Sequence, residues 1–270
     1  MVRPKKHLGQ HFLTDENIAL KISEQLTDTA NLVLEVGSGT GVLTKHLIKR
    51  FPENLKLVEI DSESADYLRE RYPALREKLI EDDFLKLDLN DFGAKDIAII
   101  GNFPYNISSQ IFFQVLDHRN LVSEVVCMIQ KEVAERLSAP PGSKTYGILS
   151  VLLQAWYSID YLFTVSEHVF NPPPKIKSAV IKLRRNETQT LGCDEVLFKR
   201  IVKQSFNQRR KTLRNSLRSM LNPNIITNEC FNLRPERLSV AEFVDLTNLI
   251  DQKKQGIRPD SKISCFKKQP

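Results

Sequence analysis

The sequence predicts an α/β protein with a doubly wound, mostly parallel sheet, followed by a small all-α domain. Two observations predict this fold. From about residue 31 to residue 183, short apolar runs alternate with helical patterns, as expected for a parallel sheet that helices cover on both faces. After Arg185 the alternation stops and only helical patterns continue. We therefore predict an α/β domain over residues 1–185 and a helical domain over residues 186–270.

Individual elements follow from local patterns. Apolar, β-branched runs predict strands at residues 32–36, 55–60, 96–100 and 122–129. Two later runs have only a proline-rich loop between them, which predicts an antiparallel edge pair at residues 157–165 and 178–183. Helical spacing predicts helices over residues 42–49, 194–206, 208–221 and 239–251, with breaks at Asn222-Pro223 and Arg234-Pro235. The polar, basic segment from Lys253 is typical of a frayed terminus.

Composition excludes several classes of protein. The chain has 270 residues, of which 41% are hydrophobic and 27% charged, as in ordinary globular proteins. It contains no apolar run of the roughly 18–20 residues that a membrane span needs, and its first residues lack the apolar block of a signal peptide. Its four cysteines are far apart and form no CxxC pair. We predict a soluble cytoplasmic protein without a disulfide framework, a metal site or a membrane partner.

Positive charge is distributed unevenly. The net charge is +6, yet residues 196–228 contain no Asp or Glu and eight Lys or Arg residues. A second basic cluster lies at Arg3, Lys5, Lys6 and His7. Such single-sign fields suit a polyanion, with nucleic acid as the first candidate and an anionic membrane surface as the second. A solvated helix face with counter-charges from elsewhere in the fold is the alternative.

A glycine-rich turn follows the first predicted strand and opens a helix. The pattern Gly-x-Gly-x-Gly begins at Gly37, and Glu59 lies at the end of the next strand, where a carboxylate can accept both hydroxyl protons of a ribose. Position 42 is Val42, so the dinucleotide fingerprint is incomplete, and no P-loop lysine follows. S-adenosylmethionine therefore fits better, with Asp83 placed to bind the adenine amine. The alternative is a tight turn with two surface acids.

The segment from Asn102 to Tyr105 is the most informative in the chain. It follows a central predicted strand, beside the expected cofactor crevice. Pro104 fixes its own φ and extends Phe103, so the segment directs an amide oxygen, carbonyl oxygens and an aromatic ring toward one point. Hydrogen bonds from the N6 amine of an adenine to Asn102 and to a main-chain carbonyl would free the nitrogen lone pair for attack on a sulfonium methyl. A proline turn capped by Asn is the alternative.

Together these motifs resemble the rRNA adenine N6-dimethyltransferase family, and most closely its small-subunit branch. The motifs that carry the resemblance occur in order at residues 8–13, 35–41, 58–61, 83, 102–105, 130–137, 170–175 and 206–217. The resemblance implies a class I S-adenosylmethionine methyltransferase fold of the Rossmann-like type. It further implies dimethylation of two adjacent adenosines in the 3′-terminal hairpin of small-subunit (16S) rRNA, with four S-adenosylmethionine molecules consumed per RNA. The expected substrate is a pre-ribosomal particle, and the expected state is a monomer.

The resemblance also assigns residues. It implies cofactor contacts at His11, Leu13, Gly37, Glu59, Asp83 and Asn102. It implies catalytic roles for Asn102, Pro104, Tyr105 and Phe170, where an exposed Phe170 closes over a flipped adenine opposite Tyr105. RNA contacts are expected on a helix over residues 204–217 and nearby, at Lys203, Arg209, Arg210, Lys211 and Arg214. Three positions depart from the usual family residues: His11 replaces Asn, Ser38 replaces Pro, and Phe103 replaces a smaller aliphatic residue that would crowd the adenine pocket less.

Two alternatives remain open at this point. One is the large-subunit branch, which modifies a single adenosine and confers macrolide-type resistance; the lid at residues 172–175 and the helix at residues 206–217 favour the small-subunit branch. The other is an RNA-binding assembly factor, or a mitochondrial-type transcription factor, with weak or no catalysis. The complete Asn102–Tyr105 segment and Glu59 argue against a dead site.

Overall fold

The computed structural model describes residues 2–221 and 229–252. The strands are β1 (Phe12–Leu13), β2 (Leu32–Val36), β3 (Leu55–Glu59), β4 (Leu79–Glu81), β5 (Ile97–Asn102), β6 (Val122–Gln130), β7 (Tyr157–Val165), β8 (Phe170–Asn171) and β9 (Ser178–Arg185). The helices are α1 (Glu16–Ser23), α2 (Thr44–Arg50), α3 (Ser62–Arg71), α4 (Ser108–Asp117), α5 (Lys131–Ser138), α6 (Ile148–Gln154), α7 (Glu195–Asn207), α8 (Leu213–Ser216) and α9 (Val240–Gln252).

Seven strands form one sheet in the order β4-β3-β2-β5-β6-β9-β7. The first five are parallel, whereas β9 is antiparallel to both β6 and β7. All five residues of β2 are buried. Because successive side chains of a strand point to opposite faces, burial along the whole strand means that both faces are covered. The predicted doubly wound, mostly parallel sheet and its antiparallel edge pair are therefore confirmed.

The chain packs as two compact units. One comprises residues 1–135 and 157–186, and the other comprises residues 136–156 and 187 onward. The second unit therefore includes an insertion between β6 and β7, which a boundary drawn at residues 185/186 omits. Within this unit the Tyr146 ring packs edge-on against Phe206 at a centroid distance of 6.2 Å, and α6 buries Val151 and Leu153. The physical reason is that α6 has an apolar face and packs it against α7 and α9.

The helices of the second unit agree in part with the sequence. The predicted helices over residues 194–206 and 239–251 are confirmed by α7 and α9. The predicted helix over residues 208–221 is wrong, since Gln208 leaves the helical region (φ −118°, ψ 41°) and a turn closes from Lys211 N to the Gln208 carbonyl. Only the single turn of α8 and a short 3-10 turn follow. The predicted break at Asn222-Pro223 and the tail from Lys253 lie outside the described residues.

Candidate active site

A cleft opens at the carboxyl ends of the parallel strands. The space inside this cleft, which is open to solvent, is about 680 Å³. The turns that follow β2, β3, β4 and β5 form its walls, together with the segment that precedes β1. All five of these segments contribute predicted site residues: His11, Gly37, Glu59, Asp83, Asn102, Pro104 and Tyr105. The sheet thus brings together seven of the predicted positions.

The glycine turn after β2 requires glycine for two reasons. Gly37, Gly39 and Gly41 have φ values of +73°, +55° and +78°, where a side chain is strained. In addition, a Cβ on Gly39 would lie 2.9 Å from the Phe12 ring. The main chain can therefore approach a ligand and the N-terminal segment more closely than any other residue would allow.

Glu59 holds this turn in place. Its carboxylate accepts hydrogen bonds from Gly39 N at 2.8 Å and from Asp61 N at 3.0 Å, and the side chain is buried. Burial raises the pKa of Glu59, whereas the two main-chain donors act to lower it. Each carboxylate oxygen has a second lone pair, so the predicted ribose contact is compatible with these bonds.

Asp61, which the sequence analysis did not assign to the site, anchors the N-terminal segment beside the cleft. It forms an ion pair with Lys5 and accepts a hydrogen bond from Gln10 Nε2 at 3.1 Å. Burial acts to raise the pKa of Asp61, but these donors and Ser64 hold it below its ordinary value. The segment so fixed includes Gly9, whose φ is +66°. Basic residues 3–7 opposite an acid at a strand end were the available signal.

The side-chain amide of Asn102 has a defined orientation. Asn102 Nδ2 lies 2.8 Å from the carbonyl of His11, and a carbonyl oxygen can only accept. The amide nitrogen is therefore the donor, which leaves Oδ1 as an acceptor. Pro104 O already accepts from Ile107 N at 3.2 Å and retains its second lone pair. The corner thus presents the two kinds of oxygen acceptor that the sequence predicted.

The two aromatic residues of this corner take different positions. Phe103 lines the main cleft, is 1% exposed and packs edge-on against Phe112 at a centroid distance of 6.1 Å; its effect on the adenine pocket stays a prediction. Tyr105 stacks on His11 with a centroid distance of 5.4 Å, and its hydroxyl is hydrogen-bonded to Ser178. Burial raises the pKa of Tyr105 despite the Ser178 hydrogen bond.

Leu13 and Phe170 are paired residues of the antiparallel ribbon β1–β8, and both are 4% exposed. The expected exposure of Phe170 is therefore wrong, because strand pairing places its side chain in the core cluster that also contains Leu13. Leu13 lines a second, smaller cleft of about 290 Å³, which shares Gly37 and Asn102 with the main cleft. Predicted cofactor residues thus line two adjoining clefts.

Two further polar residues line the smaller cleft. Glu35 is buried and accepts a hydrogen bond from Thr44 Oγ1 at 2.7 Å, and burial raises its pKa to about 8. The Ser38 hydroxyl is buried and has no hydrogen-bond partner among the residues that the structure describes. An acid inside the apolar run of β2 was the sequence signal for Glu35. Neither residue was among the predicted site residues.

Comparison with known proteins decides the family. A family model described as ribosomal RNA adenine dimethylase matches residues 1–252, which is most of the chain. The chain belongs to this family. The dimethylase is 57% identical over 260 residues to ribosomal RNA small subunit methyltransferase A of Bacteroides thetaiotaomicron, covering 93% of this chain and 96% of the relative. It is 58% identical over 256 residues to the protein of the same name from Phocaeicola vulgatus, covering 93% and 91% respectively.

Solved structures agree with this assignment. A dimethyladenosine transferase from Plasmodium falciparum is similar with a TM-score of 0.74 and 26% identity, covering 92% of the dimethylase and 99% of that chain. The 23S rRNA methyltransferase ErmE has a TM-score of 0.66 and 23% identity, covering 89% and 100%, which shows a shared fold. The predicted family, methyltransferase fold and enzymatic function on rRNA adenine are confirmed, and the small-subunit branch is supported over the large-subunit alternative. Family membership implies S-adenosylmethionine as the methyl donor.

The five cations predicted to contact RNA fall into two groups. Arg209 donates to the Lys144 carbonyl and lies 3.9 Å from Glu236, and Arg214 donates to Asn232 Oδ1 at 2.9 Å. These two arginines therefore stabilise the second, helical unit through contacts within it. The other three of the five cations, Lys203, Arg210 and Lys211, are exposed. The Arg210 and Lys211 side chains form no hydrogen bond or ion pair within the part of the chain that the structure describes.

The described residues contain no group of three or more His, Cys, Asp or Glu residues arranged to hold a metal ion. Among residues 2–221 and 229–252, no helix is long and apolar enough to cross a membrane.

Proposed function

We propose that this dimethylase transfers methyl groups from S-adenosylmethionine to the N6 atoms of two adjacent adenosines in the 3′-terminal hairpin of small-subunit rRNA, during ribosome biogenesis. The observation that carries the proposal is the fixed amide of Asn102. Its nitrogen donates to the His11 carbonyl, which leaves its oxygen available as an acceptor for a substrate. Small-subunit rRNA is the expected substrate because the similar proteins are named ribosomal RNA small subunit methyltransferase A.

The clefts fit S-adenosylmethionine. The positive-φ glycines form the tight turn that brings the main chain to both clefts, and the Ser38 hydroxyl, which has no hydrogen-bond partner among the described residues, supplies a buried polar atom in the smaller cleft. We assign the nucleoside to Glu59 and Asp83 in the main cleft, and the amino-acid tail to the smaller cleft beside Leu13. Bound there, the cofactor would supply an electrophilic methyl group on a sulfonium.

The residues of the dimethylase then act on the substrate adenine by position. Asn102 Oδ1 and the second lone pair of Pro104 O accept the two hydrogens of the N6 amine, which concentrates electron density on nitrogen. Tyr105, whose other face stacks on His11, supplies a flat surface for the base. Nucleotide extrusion is required because N6 cannot reach a methyl donor inside a base stack.

The predicted role of Phe170 requires a conformational change. Its predicted role is to cover the base opposite Tyr105, and its side chain packs in the core in this structure. Covering the base therefore requires the β1–β8 ribbon or the Phe170 side chain to shift when RNA binds. Because the Phe170 side chain is 4% exposed, such a shift gives up its packing in the core, and RNA binding has to compensate for that loss.

Methyl incorporation tests the function. The dimethylase is incubated with labelled S-adenosylmethionine and small ribosomal subunits from a strain that lacks this methylation, and the product is mapped by nuclease digestion. We expect four methyl groups per subunit on two neighbouring adenosines. Fully methylated small subunits are the control substrate and should accept none.

Two further arms separate the alternatives. Labelling of large subunits instead of small ones would support the large-subunit branch. Tight binding to small subunits without any transfer would support an assembly factor with catalysis secondary. The cytoplasmic location, the monomeric state and the pre-ribosomal substrate remain predictions that accompany this proposal.

A further inference from the structure

The loop between β8 and β9 is tied at both ends to one wall of the main cleft. At its start, the Pro172 carbonyl accepts a hydrogen bond from His11 Nδ1 at 2.7 Å. At its end, Ser178 is hydrogen-bonded to the Tyr105 hydroxyl. Because the His11 and Tyr105 rings stack on each other, both ends of the loop lie at the same edge of the cleft. Residues 172–177 therefore form part of the rim through which a substrate base enters.

The end of this loop combines charge with an exposed apolar side chain. Lys175 and Lys177 are exposed, and Ile176 between them is 39% exposed. Large apolar residues that are this exposed are few among the described residues. The backbone is nonetheless well fixed, since Pro174 is buried and Lys177 O accepts from Lys131 N at 3.0 Å. An apolar side chain held rigidly between two cations suits a partner with negative charges on either side of an apolar surface.

A nucleic acid with one extruded nucleotide has those properties. Extrusion unstacks the neighbouring bases and leaves a gap between two phosphates, and proteins that distort nucleic acids insert apolar side chains such as Ile into disrupted base steps. We propose that Ile176 is a positioning residue that enters the gap in the RNA base stack left by the extruded adenosine, while Lys175 and Lys177 bind the flanking phosphates. This inference rests on the proposed function, because it assumes that the substrate is a stacked RNA adenosine.

The test measures extrusion through 2-aminopurine placed as the 3′ neighbour of the target adenosine, because its fluorescence rises when the target base leaves the stack and the target keeps its N6 amine. One RNA has these two bases inside a paired stem, and a second has them in an oligouridine strand with little stacking. Ile176→Ser should reduce the fluorescence gain on the stem RNA by about tenfold and leave the oligouridine RNA within about twofold of wild type. Ile176→Leu should restore the gain, because it restores an apolar side chain of similar volume.

The matched control is Leu20→Ser, which removes an equally exposed apolar residue (41%) from α1. It should leave both RNAs unaffected. Equal losses on both RNAs for Ile176→Ser, or no loss on either, would overturn the proposal, as would wild-type protein that gives no fluorescence gain on the stem. If the wild type also methylates no subunits, the proposed function fails; if it methylates subunits normally, only the role of Ile176 fails.

Discussion

The orientation of the Asn102 amide makes a direct prediction about catalysis. Asn102→Ala removes the Oδ1 acceptor and should reduce methyl transfer by at least about 100-fold, the scale seen when one oriented catalytic hydrogen-bonding group is lost. RNA affinity should stay within about threefold of wild type, because phosphate contacts supply most of it. Incorporation of labelled methyl groups and filter binding measure the two quantities. Asn17→Ala, at an exposed position on α1, is the control, and wild-type turnover by Asn102→Ala would refute the mechanism.

Glu35 predicts a pH dependence of stability. Its pKa is about 8 in the folded protein, against an ordinary value of 4.5. Between these pH values the unfolded chain releases the proton and the folded protein keeps it, so this residue makes stability fall as pH rises. Glu35→Gln replaces the carboxyl group with an amide, which does not titrate in this range. From pH 5.5 to pH 7.5 the free energy of unfolding of the variant, relative to wild type, should rise by about 2 kcal/mol in urea titrations. Parallel pH profiles would contradict this assignment.

Residue types in local motifs were predictable, whereas their environments were not. The glycine turn, Glu59 and the Asn102 corner follow strands whose order a parallel sheet dictates, so their convergence could be inferred from sequence. The Asp61–Lys5 ion pair joins residues 56 positions apart, and no local pattern specifies it. The burial of Phe170 likewise comes from pairing with β1, which lies 157 residues earlier. Contacts of this length depend on tertiary packing.

At the scale of elements, the turn between α7 and α8 separates structural from exposed cations. Arg209→Ala loses hydrogen bonds to the Lys144 and Ser143 carbonyls and should lower the free energy of unfolding by about 1–3 kcal/mol in urea titrations. RNA affinity should decrease only to the extent that the loss of stability lowers the fraction of folded protein. Unchanged stability would show that these hydrogen bonds contribute little.

The neighbouring pair predicts the opposite result. Arg210→Ala with Lys211→Ala should leave stability unchanged and weaken RNA binding, with the slope of log affinity against log salt reduced by about 1.5–2. Salt titrations of binding measure the slope, and Arg209→Ala is the matched comparison. An unchanged slope would remove Arg210 and Lys211 from the interface. The sequence predicted these cations as a group of RNA contacts on one continuous helix, and it therefore could not distinguish inward from outward members; their contact with RNA stays a prediction.

At the scale of the whole molecule, the insertion of residues 136–156 determines which truncations are tolerated. A chain of residues 1–186 retains α6 but lacks α7 and α9, which cover its apolar face. Such a chain should bind hydrophobic dyes and unfold at a lower temperature than a chain that ends at residue 252. If the truncated chain of residues 1–186 is fully soluble and binds no dye, α6 does not need α7 and α9 to cover its apolar side.

The interrupted second unit also sets an order of events during synthesis on the ribosome. Residues 136–156 leave the exit tunnel before residues 187–252. The apolar side of α6 therefore stays uncovered until about 100 further residues have been translated, which takes roughly 5–20 s at ordinary elongation rates. During that interval the nascent chain carries an uncovered helix between two strands of a sheet that is itself still incomplete. A chaperone that binds short apolar helices would find its target in this stretch of the emerging polypeptide.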